Sequence, residues 1–273
     1  MADYNELTNV DFDKLIIDSI DQLTALSRSD SSILFMMDEI TEGTITNGVE
    51  IVYGTGRQGV RLSSFDRNKT AGFSCTNGYV IASAIAAQTG TTVESASMEK
   101  KFVIPTIEML TTTDGTSVAT TYEAVGEEGN EIPYIYKANA DKTQGEKFAI
   151  GAEASETEFK YEPGSNTITL PTSKFRANDV VIVVYNREVE VGKKIANNGT
   201  SFSQTARLIM DITCHDICDQ NIKYHAVMEF PNAKIDGNFD MAFGNEPMVH
   251  NFGAEAQIDP CSLDNNLWSM YIA

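Results

Sequence analysis

Gly54-Thr55-Gly56-Arg57-Gln58-Gly59 has the spacing of a dinucleotide-binding loop, in which three glycines let backbone amides close around a pyrophosphate at a helix N-terminus. The residues that follow, Val60-Arg61-Leu62-Ser63-Ser64-Phe65, alternate as a strand does and run into turn formers at Asp66 and Asn68. The helix that such a site needs is missing, so the run reads as a flexible loop. None of these glycines precedes Lys and Ser or Thr, which excludes a P-loop. Cys214-His215-Asp216-Ile217-Cys218, with His225, His250 and Cys261 downstream, holds enough soft ligands for zinc. Its cysteines are three residues apart where a zinc knuckle wants two, and Cys214 ends an alternating strand on the apolar side, so buried thiols are expected. Asp236-Gly237-Asn238-Phe239-Asp240 starts like a calcium loop, yet Met241 stands where that loop needs Gly and Pro247 where it needs a bidentate Glu, which leaves a turn. Three histidines and no Gly-x-Ser-x-Gly elbow give no nucleophile and base to assign. The expectation is a protein without catalytic residues, cofactor or metal.

Charge narrows the class further. The 273 residues carry 20 basic and 39 acidic side chains, a net charge of −19, and such a surface repels phosphate. Nucleic-acid binding through basic contacts is not expected. No run approaches the roughly 20 apolar residues of a membrane helix, and the start is acidic where a secretory signal is basic and then apolar. The reading is a soluble, unexported protein whose four cysteines stay reduced, with no membrane partner. The sequons at Asn68 and Asn198 are then accidental.

The elements that would position these residues are mostly strands. Phe12, Leu15, Ile16, Ile20, Leu23 and Leu26 approximate a helical stripe, so a helix or extended arm is expected first, followed by a buried strand over residues 33–37. Gly43 to Gly59 suits a long loop or loose hairpin, and short strands follow over 61–65 and 71–75. Tyr79 to Gln88 is the clearest helix, capped by Thr76 or Asn77 and stopped by Gly90; being apolar nearly all round, it should be covered on both sides. Turn clusters recur from about Lys100 to Pro171, which reads as a small antiparallel sandwich over 99–175 inserted into a main domain of 1–98 and 176–273. Val180 to Tyr185 is apolar throughout, as for a strand covered on both faces. Period-two alternation is cleanest at Leu208–Cys214, Ile222–Phe230 and Phe252–Ile258, and an apolar strand ends the chain over 267–273. On those three strands the face opposite the core presents Asp211, Glu229, Glu255, Gln257 and Asp259.

Val52-Tyr53-Gly54-Thr55-Gly56-Arg57-Gln58-Gly59-Val60-Arg61-Leu62, Asn68-Lys69-Thr70, and Thr76-Asn77-Gly78 opening the Ala-rich helix resemble the major tail tube protein of tailed bacteriophages. So do the stretch from Phe230 to Asp240, Gly244-Asn245-Glu246-Pro247 and the terminal Leu267-Trp268. The resemblance covers about 50–97 and 180–273. It implies a mainly β fold, an antiparallel β-sandwich or barrel with one flanking α-helix and an inserted small β domain. It also implies hexameric rings stacked into a hollow conduit for DNA ejection, assembled in the host cytoplasm and resident in the virion tail. The implied partners are other copies of the chain, a tape measure protein in the lumen, and tail terminator and baseplate proteins, with DNA passing unbound. Within such a tube, Gly54, Gly56, Arg57 and Gly59 become inter-ring contact candidates together with the N-terminal 40 residues. Asp211, Glu229, Glu255 and Asp259 become candidates to face the lumen. The competing classes are another virion component, such as a capsid or decoration protein, and a metal-dependent or thiol enzyme.

Overall fold

The computed structural model describes residues 14–272 apart from 220, 242 and 246; Phe12 of the N-terminal stripe lies outside them. The chain divides into two compact units, one formed by Glu94–Lys194 and the other by the chain on either side of it. The flanking unit starts with β1 (Leu15–Ser27), β2 (Ile33–Met37), β3 (Ile40–Thr55), β4 (Arg61–Asn77) and α1 (Ala82–Thr89). The second unit runs through β5 (Glu94–Ser95), β6 (Phe102–Thr111), β7 (Ser117–Ala119), β8 (Tyr134–Ala138), β9 (Gln144–Ile150), β10 (Glu158–Glu162), β11 (Thr167–Thr169), β12 (Val180–Val189) and β13 (Lys193–Lys194). The flanking unit then finishes with β14 (Thr205–Asp216), β15 (Lys223–Ile235), β16 (His250–Ala256) and β17 (Ser269–Ile272). The fold is mainly β, and α1 is the one α-helix among the described residues.

In the flanking unit the strands form one connected antiparallel sheet in the order β2-β1-β14-β15-β16-β4-β3, with β17 added on β15. The alternation read from the sequence is the alternation of burial: Leu208, Met210, Ile212 and Cys214 on β14 and Tyr224, Ala226, Met228 and Phe230 on β15 all turn to the core. Pro231 continues β15 because the ladder bulges there. Leu208 pairs with Phe230 and Ala206 with Ala233, so two residues of β15 face one of β14 and the missing N–H costs no ladder bond. β2 and β16 lie four places apart in this order, roughly 19 Å along a flat sheet at the usual strand spacing. Their side chains Phe35 and Phe252 nevertheless meet edge to face with centroids 5.2 Å apart. The sheet is therefore curled around its own apolar face, and Ile20 of β1 occupies the space that a side chain at Gly43 of β3 would need.

The expected arm or helix at the start is a strand. β1 pairs with β14 from Leu15 to Ser27 and is irregular at two points, between Ile17 and Ser19 and between Ile20 and Gln22. Each irregularity shifts the period-two pattern, and the sum of the shifts mimics helical spacing. The segments at 61–65 and 71–75 are parts of one long strand. α1 starts at Ala82, later than expected, since Asn77 is not its cap but the buried end of β4, with its side chain tied to Glu39 and the Tyr79 carbonyl. Gly90 does stop the helix, at φ 70°. Ala84 and Ala87 pack into the core, where small side chains let the helix sit close to the sheet.

The second unit has its own core of Ile132, Ile135, Phe148, Phe159, Ile168, Val181 and Val183. Its sheet order is β6-β12-β8-β9-β10-β11-β7, and the β9–β10 pair is parallel, a departure from the antiparallel expectation. Residues 112–116 join β6 directly to β7, the two ends of that order, so this sheet also folds back on itself. The Tyr161 and Tyr185 hydroxyls accept from the Ala124 and Tyr122 amides and pin the long connection before β8; burial pushes the Tyr185 hydroxyl up to about 12. Val180–Val189, read with the flanking strands, belongs to this unit, where it pairs along its full length with β6. It is not covered on both faces: Val181, Val183 and Tyr185 are buried but Val184 is 42% exposed.

Two predictions come from these cores. Phe230 is 1% exposed, and Phe230→Ala should cost about 3–5 kcal/mol in denaturant unfolding. His250 is buried between β4 and α1, its Nδ1 accepting from the Ile81 amide and its Nε2 donating to Gln88 Oε1 at 2.8 Å, an arrangement only the neutral ring can make. Burial holds its pKa below the ordinary 6.5. The unfolded chain then takes up the proton first, so this contribution to stability is present above about pH 6.5 and is lost as the pH falls below it. The drop in urea midpoint from pH 7 to pH 5 should accordingly be smaller in His250→Gln than in the parent protein.

Candidate assembly surface

β3 and β4 continue beyond the sheet as a ribbon. The last residue of β4 paired with β16 is Gly72, whereas β3 and β4 stay paired through Glu50↔Arg67 and Tyr53↔Ser64 to Thr55↔Arg61. The Gly43–Gly59 segment is thus a strand of a long hairpin, with no loop until the tip. At the tip the Gly56 amide donates to the Val60 carbonyl and the Gly59 amide to the Gly56 carbonyl. Gln58 and Gly59 take left-handed conformations, φ 66° and 74°. The glycine spacing that imitates a nucleotide loop is therefore turn chemistry, and a strand follows it in place of a helix. Gly54, Gly56, Arg57 and Gly59 all gather at this end.

A two-stranded ribbon cannot bury either face on itself. One face carries Val52 and Phe65, with the Leu62 side chain lying over Gly56. The other carries Ile51 and Tyr53, with the Arg61 guanidinium 3.9 Å above the Tyr53 ring. Leu62 is 72% and Phe65 56% exposed, and Val49, Ile51, Tyr53 and Val60 are exposed as well. The ribbon also reverses the charge of the chain. Between residues 47 and 70 stand Arg57, Arg61, Arg67 and Lys69 against only Glu50 and Asp66.

The carboxylates singled out from alternation are placed unevenly. Asp211, Glu229 and Glu255 share the face of the curled sheet that points away from its core. Asp259 lies past the end of β16, in a turn where the Arg28 guanidinium bonds it at 2.9 Å and holds its carboxyl below the usual carboxylate range. Ile258, expected on the core side of that strand, is exposed. Asp211 and Glu229 are already partnered, by His225 at 3.2 Å and Arg207 at 2.7 Å. Reading β1 as a helix or extended arm hid two further carboxylates on the same face: Asp21, which accepts from Thr213 at 2.6 Å, and Asp18, 3.3 Å from His215.

The soft-ligand cluster does not come together. Cys214 is buried in the core, Cys218 is exposed in the turn after β14, His225 lies beside Asp211 and His250 beside Gln88. Cys75 is buried too, which pushes its thiol up to about 12 and leaves it a core side chain. Among the described residues no three His, Cys, Asp or Glu side chains are grouped as metal ligands would be, and no helix is long and apolar enough to cross a membrane.

A family model, that of the YomU/Tube protein family, matches residues 15–262, from the first residue of β1 to beyond β16. The chain belongs to the YomU/Tube protein family. No curated protein matches it. Membership in a tube family bears out the resemblance to phage tail tube proteins drawn from the glycine-rich run and the residues around Phe230. For this tube-family chain the exposed ribbon leads to a direct expectation. In dilute protein the amides of residues 49–66 should exchange with deuterium well ahead of those of β14 and β15, and trypsin should cut first at Arg57 and Arg61. Protection of the ribbon equal to that of β14 would mean its own chain covers it.

Proposed function

We propose that the protein is a structural subunit of a phage tail, without catalytic activity, that assembles into stacked hexameric rings and forms the hollow tube through which DNA leaves the virion. The observation that carries this reading is the hairpin: a ribbon apolar on both faces and net basic, on a chain of net charge −19, is suited to a second copy of the same acidic chain. In this reading Gly54, Gly56, Arg57 and Gly59 place the tip against the adjacent ring.

The open edges of the curled sheet support the same assembly. Among the described residues β3 pairs only with β4, β17 only with β15, and the first half of β1 only with β14. Long unpaired edges template the addition of further strands, and a ring that joins edge to edge removes them. The face bearing Asp18, Asp21, Asp211, Glu229 and Glu255 then lines the channel, where carboxylates keep DNA from adhering. A tape measure protein would occupy that channel during assembly in the host cytoplasm, and terminator and baseplate proteins would close its ends.

Leu62→Asp combined with Phe65→Asp tests the reading. Purified variant protein should keep the circular dichroism and melting temperature of the parent but form no tubes under electron microscopy at concentrations where the parent does. Tubes of normal length from the variant would remove the hairpin from the assembly.

A further inference from the structure

The second unit buries one face of its sheet and leaves the other bare. On the bare face β6 contributes Val103, Ile107 and Met109, β12 contributes Ile182 and Val184, and β8 contributes Tyr134. Met109 lies opposite Ile182 and Ile107 opposite Val184, so the side chains form adjoining rows, with Ile107 69% and Val103 59% exposed. Together they present on the order of 500 Å² of apolar surface, the upper end of what a solitary domain shows. The charges sit at the corners. Lys101 bridges Glu188 and Glu190 at one end, leaving an excess of one carboxylate, and Lys147 lies over the Tyr134 ring at the other.

We propose that this face packs against the same face of a second copy of the chain. Copies this acidic repel each other wherever carboxylates meet, and this patch has none in its interior. A two-fold axis lying diagonally across the sheet face, between the strand direction and its perpendicular, would turn the Lys147 corner of one copy towards the Glu188 and Glu190 corner of the other. The pairing would bury about 1,000 Å² in total, enough for a specific contact between sheets stacked face to face. Edge pairing is the poorer alternative, because the edge strand β6 carries Pro105 at its centre, which offers no N–H to a ladder. The inference does not rest on tube formation.

Val184 lies in the central row, next to the proposed axis. In the full chain with Cys218→Ser and Cys261→Ser, Val184→Cys should give a covalent dimer in high yield with a short bis-maleimide, while Thr157→Cys, in a turn off this face, should not. Adding Ile107→Asp and Met109→Asp should lower the yield at least tenfold with circular dichroism unchanged. Should the aspartates prevent folding, Ile107→Thr and Met109→Thr keep strand-forming residues and serve the same comparison. No dimer from Val184→Cys, or a yield indifferent to the face substitutions, overturns the proposal. Electron microscopy of the same samples separates the two readings: tubes without this cross-link leave the tube and remove the face contact, whereas cross-links without tubes do the reverse.

Discussion

A sheet with one apolar face needs something to lay that face against, and in the flanking unit the sheet uses itself. Phe35 and Phe252 come from strands four places apart and still touch, which is possible only because the strands between them bend around Leu23, Met210, Met228 and Phe230. Each fully buried side chain of this kind contributes about 1.5–3 kcal/mol, so the curl is driven by the core and not by the ladder bonds, which a flat sheet would make equally well. α1 serves the same end. Its alanines add apolar contact, and the His250–Gln88 pair fixes where the helix sits.

Curling fills the core and leaves the sheet unfinished at its rim. β3 and β4 extend past the last strand that could pair with them, and beyond Ala71, the last core residue on that side of β4, they have no core to face. Their apolar side chains are in solvent for that reason, and each face of the ribbon must find its neighbours on another molecule or stay wet. The basic residues along the ribbon fit this position. They do little for the fold of their own unit, and screening by salt weakens any attraction they exert once charges are more than about 8–10 Å apart.

The solvent face of the curled sheet works on different terms. Its carboxylates have partners diagonally across the adjacent strands, Arg207 for Glu229 and His225 for Asp211, so local pairing moderates a charge that looks unrelieved in the sequence. These pairs are partly exposed, and exposed pairs are worth about 0–1 kcal/mol each, which assigns them to surface chemistry and not to stability.

β14, β15 and most of β16 were legible from the sequence alone, because a strand with one face on a core writes its burial into every second residue. The helix stop at Gly90 and the strand that follows the glycine run in place of a helix were legible for a similar reason: both depend on neighbours within a few residues. The rest was not. β1 read as a helix or extended arm because two irregularities shift its alternation, and the partner that imposes them, β14, is nearly two hundred residues away. The ribbon could be read only as a long loop or a loose hairpin because its strands have no core of their own chain to alternate against. Val180–Val189 passed for a strand of the flanking unit because apolar composition does not say which partner a strand will take. Local composition and period are set by burial and backbone preference, which the sequence carries residue by residue. Which strand pairs with which, how far a sheet curls and which carboxylate meets which cation are settled by long-range hydrogen bonds and packing, and those exist only once the chain is folded.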